Sequence, residues 1–390
     1  MLRHIVKRWV LTGLMGLVSL WCLVGCSDDQ EQRGRQVTLE AQPLIQPYHE
    51  DWPSSAARAM GQRAWSPPSG YTTYESFTAM FAEQTDLYQK SIGIYFTQDA
   101  VTPEPGTFYY NDYDSKWHFN ADMELETSTY YLYGYIPKEA VESATISGNS
   151  SFSQGAVLTL NGLNTVTHND ISVVVGAKNG TDEDTDGGLT VGNFAVEAKA
   201  TGSGSNHIFL LFDHLYSAMR FSFKVDADYA KLRTIKLRKL ELTAFNSNSS
   251  TKLKAKYNAT ITLQAGASPI QSVVFTQDEA SADVAYEPLY SGDAVTLDPT
   301  TPTSFMGGFV PGRNTTFRLR STYDVYDRQG NCIREGCEAV NNIDLRTIFS
   351  ITPMELQRGH IYTINMTVRP TYLYVLSEPD LDNPSLKIEE

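Results

Sequence analysis

Apolar and polar residues alternate along several short segments, most regularly in the second half of the chain. Almost every second residue is apolar in residues 217–225, 317–325 and 360–368, and most residues between them are polar or charged. Successive side chains of a strand point to opposite faces of a sheet, so these segments are predicted to be half-buried strands. In residues 234–245 the apolar phase shifts near Arg238-Lys239, which predicts a β-bulge there.

The first half of the chain consists of short aromatic and β-branched runs separated by Gly, Asn, Asp and Pro. Residues 91–97, 130–136 and 171–176 are its clearest predicted strands, and only residues 73–89 have a weak helical pattern. With 22 Tyr, 17 Phe and only 19% charged residues, the composition favours strands and turns over helical bundles.

This pattern predicts an all-β protein with two tandem antiparallel β-sandwich domains. We expect an N-terminal sandwich at residues 71–200 and a C-terminal sandwich at residues 207–370, joined by the flexible sequence TGSGSN at 201–206. Residues 26–70 are predicted to be an acidic and Pro-rich tether, in which residues 36–44 are a predicted strand. Residues 371–390 are expected to form a C-terminal strand and tail.

Residues 1–25 have the organisation of a lipoprotein signal peptide. Three cations, Arg3, Lys7 and Arg8, precede an almost uncharged run at 9–23, and Leu-Val-Gly-Cys follows at 23–26. The apolar run is short for the ~30 Å hydrocarbon core of a membrane, which indicates a cleaved leader. Cys26 is therefore predicted to become the lipidated N-terminus, anchored to the outer membrane by acyl chains that contribute ~0.8 kcal/mol per buried methylene.

The chain is acidic, which bears on its partners. Its formal net charge is −14, and removal of a leader with three cations and no anions takes this to −17. Such a balance disfavours nucleic acid as a partner and favours solubility in an exposed environment.

Two cysteines, Cys332 and Cys337, remain once Cys22 is lost with the leader and Cys26 carries lipid. Along a regular strand their five-residue separation spans ~17 Å, whereas a disulfide needs Cα atoms ~6 Å apart. A disulfide therefore requires a turn, which Glu335-Gly336 could supply. Export to an oxidising compartment favours the disulfide, and two free thiols are the alternative.

No catalytic set can be recognised in the sequence. Outside the leader, histidines occur singly at 49, 118, 168, 207, 214 and 360, without the paired spacing of a zinc site, and His214 is interpreted as a packed or capping residue. The string around Asp182, Asp184 and Asp186 resembles a calcium loop but has Asn193 where the bidentate Glu belongs, so an acidic surface turn is preferred. The sequence predicts neither an enzyme nor a cofactor.

Four stretches of the sequence carry a resemblance to a known family: Trp117 with residues 130–137, residues 214–223 with 235–242, residues 356–362, and residues 370–384. They resemble the fimbrillin family of Bacteroidetes, which are lipoproteins related to the major and minor fimbrial subunits. The resemblance implies transthyretin-like β-sandwiches and a surface fimbria as the location. It also implies other fimbrial subunits as partners, in a homo- or heteropolymer that supports adhesion to host or bacterial surface ligands.

The family also implies a route of assembly. An arginine-specific protease removes the N-terminal segment with its first strand, and the opened groove accepts a donor strand from a neighbouring subunit. Arg33, Arg35, Arg58 and Arg63 are the candidate cleavage sites. Cleavage at Arg58 or Arg63 would release strand 36–44, whereas cleavage at Arg33 or Arg35 would free only the lipid. Residues 371–390 are the candidate donor, with an edge strand and tail as the alternative; stalk, anchor and tip roles all fit.

A carbohydrate-binding surface lipoprotein is the alternative function. Flat aromatic rings stack on sugar faces, and Tyr109, Tyr110, Tyr113 and Trp117 form an aromatic group in the first half of the chain. Aromatic strand residues more often belong to the core, so this alternative depends on their exposure.

Overall fold

The computed structural model describes residues 39–46, 48–51, 71–74, 91–99, 102–120, 127–166, 170–180, 189–198, 206–245, 253–310, 315–349 and 356–369. Several predicted features lie outside these residues: the leader, Cys26, Arg33, Arg35, Arg58, Arg63, the Asp182–Asp184–Asp186 string, most of the predicted helix 73–89 and the tail 371–390.

The regular secondary structure of the described residues is almost entirely strand, which confirms the predicted all-β class. The helices that lie wholly within the described residues are short: α1 is Ala227–Ala230, α2 is Leu345–Phe349, and a 3-10 helix is Lys138–Ala140. Within the described part of the chain, no helix is long and apolar enough to cross a membrane.

The first sheet has nine strands: β1 Glu40–Ile45, β3 Thr72–Thr73, β4 Ser91–Thr97, β5 Glu104–Asn111, β6 Lys116–Asn120, β7 Ser128–Ile136, β10 Ser172–Gly180, β11 Ala195–Ala198 and β12 His207–His214. Their order is β10-β12-β1-β6-β5-β4-β7-β11, and β3 pairs with β1. Because β10 also pairs with β7, at Ser172↔Ile136 and Val173↔Tyr135, the sheet closes on itself as a ring of strands. β1 is one member of this ring.

The second sheet packs against the first. Its strands are β8 Ser143–Asn149, β9 Ser151–Asn164, β15 Lys256–Gln264 and β16 Ile270–Gln277, in the order β16-β15-β9-β8. Leu158, Ile261 and Phe275 of this sheet share one buried apolar cluster with Ile94 and Phe212 of the first. Together the two sheets enclose the first core of the molecule.

Two further sheets enclose a second core. The third sheet has the order β18-β13-β21-β2, formed by β2 His49–Asp51, β13 Ser217–Val225, β18 Thr303–Val310 and β21 His360–Val368. The fourth has the order β17-β14-β19-β20, formed by β14 Thr234–Ala244, β17 Glu287–Thr296, β19 Thr316–Tyr326 and β20 Cys332–Asp344. Phe221, Leu240 and Phe317, each fully buried, lie between these sheets.

The strands predicted from alternation are present with nearly the expected bounds. β4, β13 and β21 match residues 91–97, 217–225 and 360–368. The predicted bulge is also confirmed, because the register of β14 against both neighbours passes from Leu237 to Lys239 and leaves Arg238 unpaired.

The sheets do not follow the division expected at residues 200–207. β12 pairs with β1 and β10, and β15 pairs with β9, so strands from the range 207–370 complete the first core. The physical reason is that alternation in a sequence reports a strand and its buried face, whereas the partner of that strand is chosen by non-local packing.

Candidate functional site

The strand β1 lies inside the first sheet, with partners on both sides. It runs parallel to β12, from Glu40↔His207 to Ile45↔Phe212. On its other side it is antiparallel to β6 at Glu40 and Ala41, and to β3 at Leu44 and Ile45. The predicted strand 36–44 is therefore found at Glu40–Ile45, and residues 36–38 lie outside the described residues.

Pro43 is accommodated by a gap in this pairing. The backbone N–H groups of Glu40 and Gln46 donate to the carbonyls of Asn206 and Phe212 on the β12 side. Donors alternate along a strand, so the nitrogen of Pro43 faces the opposite side. There it falls between the positions paired with β6 and those paired with β3. A residue without an N–H therefore interrupts no hydrogen bond at this position.

Side chains on both faces of this segment are buried. Leu39, Ala41, Leu44 and Ile45 are each no more than 5% exposed. Full burial of a Leu or Ile side chain contributes about 1.5–3 kcal/mol, so the three larger residues together stabilise the segment by several kcal/mol. The segment is a built-in part of the first core.

A buried polar cluster follows directly after β1. We call Gln46, Tyr48, Asp170, Ser172 and His214 the junction cluster. The Tyr48 hydroxyl donates to Asp170 Oδ1 over 2.6 Å, and the Tyr48 ring stacks on the His214 ring with centroids 3.9 Å apart. Burial, followed by the charge of Asp170, raises the pKa of Tyr48 well above its ordinary value, so this hydroxyl keeps its proton and remains a donor.

The histidine of the junction cluster joins the N-terminal segment to β10 and β12. His214 Nε2 contacts the backbone carbonyl of Gln46, which only accepts, so Nε2 carries a proton. Its Nδ1 lies 2.6 Å from Asp170 Oδ2. This is a hydrogen-bond distance, so the imidazole of the fully buried His214 is paired directly with the buried carboxyl of Asp170.

The junction cluster contains Ser, His and Asp but lacks the geometry of a nucleophile triad. In such a triad, serine and aspartate contact opposite nitrogens of the imidazole. Here Ser172 Oγ lies 3.2 Å from His214 Nδ1, the nitrogen that also contacts Asp170, and Nε2 is occupied by the carbonyl of Gln46. The arrangement holds a chain segment and does not activate a hydroxyl.

The same N-terminal segment continues to the second core. β2 pairs in parallel with β21, from His49↔His360 to Asp51↔Tyr362, and forms an edge of the third sheet. Next to the junction cluster, Arg358 donates to Asp213 Oδ2 over 2.7 Å, which ties the turn before β21 to β12. Residues 40–51 thus connect both cores through β1, the junction cluster and β2.

One polar atom of this segment is left without a partner. Gln46 is only 3% exposed, and its side-chain oxygen Oε1 has no hydrogen-bond partner among the described residues. A buried acceptor in this state costs about 1–3 kcal/mol.

The sequence predicted only part of this site. The strand and the packed character of His214 were expected, whereas Tyr48, Asp170 and Ser172 were missed. One signal in the sequence could have revealed these residues: Asp170 and His214 flank two of the most apolar runs in the chain, 171–175 and 208–212. A polar residue at the end of a fully buried strand must find a partner, and the two ends lie side by side.

The remaining predicted site residues are dispersed. Cys332 and Cys337 lie on the same strand, β20, and both thiols are free in the structure. A bulge separates them at residues 335–336, where Gly336 has a φ of +65°. Among the described residues, no group of three or more His, Cys, Asp or Glu side chains could hold a metal ion.

The predicted aromatic group divides between surface and core. Trp117 is 3% exposed and packs edge-on against Tyr110, whereas Tyr109 is 45% exposed and Tyr113 is 97% exposed. Of these four aromatic residues, Tyr109 and Tyr113 are the exposed ones.

No family model and no curated protein matches the chain. Solved structures that align with it include a candidate cell adhesion protein from Bacteroides uniformis, at 12% identity and a TM-score of 0.37, over 85% of this chain and 92% of the other. A fimbrial protein from Bacteroides vulgatus aligns at 13% identity and a TM-score of 0.30, over 84% and 95%. The fimbrial anchor protein Mfa2 from Porphyromonas gingivalis aligns at 10% identity and a TM-score of 0.26, over 84% and 90%.

These structural neighbours are adhesion and fimbrial proteins of Bacteroidetes, the group that the sequence motifs resemble.

Proposed function

We propose that this chain is a structural or accessory subunit of a surface fimbria that supports adhesion. It is exported as a lipoprotein through Cys26 and assembles by strand exchange after arginine-specific cleavage. The observation that carries the proposal is the position of Glu40–Ile45, a strand from the N-terminal segment that closes the ring of the first sheet.

Loss of this strand would create a specific acceptor groove. β12 would lose its partner along six register positions, and β6 and β3 would lose theirs on the other side. Unpaired backbone groups on both walls favour the addition of a new strand. The apolar sites now filled by Leu39, Ala41, Leu44 and Ile45 would select its side chains.

The order of the segments along the chain fits cleavage at a late arginine. β1 and β2 both precede Arg58 and Arg63, so cleavage there would separate both strands from the body. Cleavage at Arg33 or Arg35 would leave both strands covalently attached. The two pairs of arginines therefore provide matched variants.

The test is digestion of the purified chain with an arginine-specific protease, followed by gel electrophoresis at moderate temperature. We expect heat-resistant ladders from the wild-type chain and from Arg33→Lys/Arg35→Lys. We expect monomer only from Arg58→Lys/Arg63→Lys. Removal of residues 372–390, the candidate donor, should leave a folded subunit that forms no ladder.

Two results would contradict the proposal. One is ladder formation by Arg58→Lys/Arg63→Lys when mass spectrometry finds the N-terminal segment still attached. The other is normal ladder formation by the chain without residues 372–390, which would exclude the tail as donor.

A further inference from the structure

A cleft of about 300 Å³ opens on the first sheet, away from β1 and the junction cluster. The 3-10 helix and strands β4, β5 and β7 form its walls. The lining residues that matter here are Gly93, Tyr95, Thr107, Tyr109, Tyr135 and Lys138. Neither the proposed strand exchange nor the core explains this combination of aromatic rings and hydrogen-bond donors.

A glycine shapes the floor of the cleft. Gly93 on β4 is directly opposite Tyr135 on β7. A Cβ atom on Gly93 would lie only 2.7 Å from Cζ of Tyr135 and 2.9 Å from its hydroxyl oxygen. The missing side chain therefore lets the Tyr135 ring lie flat across the neighbouring strand. Tyr95, two residues further on the same face, is held by a 2.7 Å hydrogen bond from its hydroxyl to the carbonyl of Ala144.

Tyr109 supplies an accessible aromatic ring. It is 45% exposed although it lies in the middle of the sheet, beside β4 and β6. Tyr113, in the turn between β5 and β6, is 97% exposed and does not line the cleft. The two tyrosines provide a site residue and a matched control.

Lys138 supplies the polar side of the cleft. Its ammonium group donates to Thr107 Oγ1 over 2.5 Å, and no carboxylate within the described ranges forms an ion pair with it. An ammonium has three donors, so further hydrogen bonds are available toward the cleft. Asn120, at the end of β6, adds an amide to the same opening.

We propose that this cleft binds one pyranose residue of a glycan. The C–H face of a pyranose is weakly positive and packs on the negative face of an aromatic ring such as Tyr109. Its hydroxyl groups form hydrogen bonds with the side chains of Lys138 and Asn120. A few convergent polar groups beside an aromatic surface are typical of small-ligand sites.

Neutral and acidic sugars share this chemistry and are distinguished by Lys138. A neutral hexose accepts a hydrogen bond from the ammonium through a hydroxyl group. A uronic acid adds a charge-assisted bond through its carboxylate. The chain as a whole is acidic, with a net charge of −14, so an acidic sugar would depend on this local cation more strongly.

The experiment is ligand-observed NMR on the full-length chain. The probes are tetramers of mannose, glucose and N-acetylglucosamine as neutral sugars, and a tetramer of galacturonic acid as the acidic one. We expect at least one tetramer to bind with a dissociation constant of about 1 mM or lower. Tyr109→Ala and Lys138→Met should each weaken that binding by about tenfold, and Tyr113→Ala should leave it unchanged.

Each outcome bears on the proposal. If Lys138→Met abolishes binding of the galacturonic acid tetramer, the ligand is an acidic sugar. If Lys138→Met only weakens binding of a neutral tetramer, the ligand is a neutral sugar. The proposal is overturned if none of the four tetramers binds, or if Tyr109→Ala and Lys138→Met, shown folded by thermal melting, bind as the wild type does. Since β1 does not line the cleft, failure here would leave the strand-exchange result unaffected.

Discussion

Single hydroxyl and imidazole groups hold the N-terminal segment at the end of β1. The Tyr48 hydroxyl reaches Asp170, and the His214 ring lies between the carbonyl of Gln46 and the same carboxylate. Asp170 and His214 belong to the body of the protein, whereas Gln46 and Tyr48 belong to the N-terminal segment. These hydrogen bonds would therefore have to break before a cleaved segment could dissociate.

Tyr48→Phe tests this role with the loss of one oxygen atom. A hydrogen bond to a charged group contributes about 1.5–3 kcal/mol, so we expect the cleaved segment to dissociate at least about tenfold faster. Dissociation can be followed by gel filtration after arginine-specific digestion.

Tyr216→Phe is the matched control for Tyr48→Phe. Tyr216 is fully buried in the same core, and its hydroxyl donates to the carbonyl of Asn164, outside the N-terminal segment. The Tyr216→Phe variant should be less stable than the wild type, but its cleaved N-terminal segment should dissociate at the wild-type rate. Equal release rates for the two variants would show that Tyr48 contributes only general packing.

Glu241 links stability to pH in the fourth sheet. Its carboxylate accepts a hydrogen bond from Arg320 over 2.7 Å and pairs with Lys239 at 2.8 Å. The hydrogen bond from Arg320 is the main cause of a pKa for Glu241 below its ordinary value of 4.5. When the pKa of a carboxyl group is lower in the folded state than in the unfolded state, its ionised form stabilises the fold. This stabilisation is fully present above the pKa of the unfolded state and is lost as the pH falls through the pKa of the folded state.

We therefore expect wild-type protein to be more stable than Glu241→Gln near neutral pH, by about 1–2 kcal/mol. This difference should disappear as pH falls below 4.5. Urea unfolding over a series of pH values measures it. A difference that stays constant down to strongly acidic pH would show that the carboxylate charge is not responsible.

At the scale of single elements, two bulges in the fourth sheet meet at one carboxylate. Arg238, the unpaired residue of β14, donates to Asp324 on β19. On the other side of β19, the bulge of β20 directs the Gly336 N–H to Asp324 Oδ1 over 2.9 Å. Asp324 is fully buried, so the extra residues of both bulges satisfy its oxygens.

Asp324→Ala should therefore destabilise the protein by about 2–3 kcal/mol, because the Gly336 N–H loses its acceptor and Arg238 loses Asp324 while keeping its pairing with Glu335. Asp293→Ala, at an exposed carboxylate of β17 in the same sheet, should stay within about 0.5 kcal/mol of wild type. Denaturant midpoints at equal slopes provide the comparison. Similar midpoints for the two variants would contradict a structural role for Asp324.

The sequence predicted elements better than their partners. β13 and the Arg238 bulge follow from alternation, because the burial of one face leaves a local pattern in the sequence. The parallel pairing of β1 with β12 joins positions far apart in the chain, and nothing local encodes it. Tyr48 and Asp170 were missed for the same reason.

At the scale of the whole molecule, each core depends on distant parts of the chain. The first core takes β1 from the N-terminal segment and β15 and β16 from the second half. The third sheet, which borders the second core, takes β2 from the N-terminal segment. The two halves are thus connected by shared strands as well as by the chain itself.

A fragment of residues 207–390 should consequently fail to unfold cooperatively. β12 loses its partners β1 and β10, and β15 loses β9, which leaves their apolar faces exposed. Near-ultraviolet circular dichroism during thermal melting is the measurement. A transition as sharp as that of the full chain would show that the second half folds by itself.

The unpaired oxygen of Gln46 has a consequence for the direction of exchange. An incoming strand with an apolar residue at this position would avoid the cost of about 1–3 kcal/mol that the resident strand bears. Such a difference corresponds to a preference of roughly 5-fold to 150-fold for the newcomer. Under the proposed strand exchange, the resident strand would close the ring of the first sheet but bind less tightly than such a replacement strand.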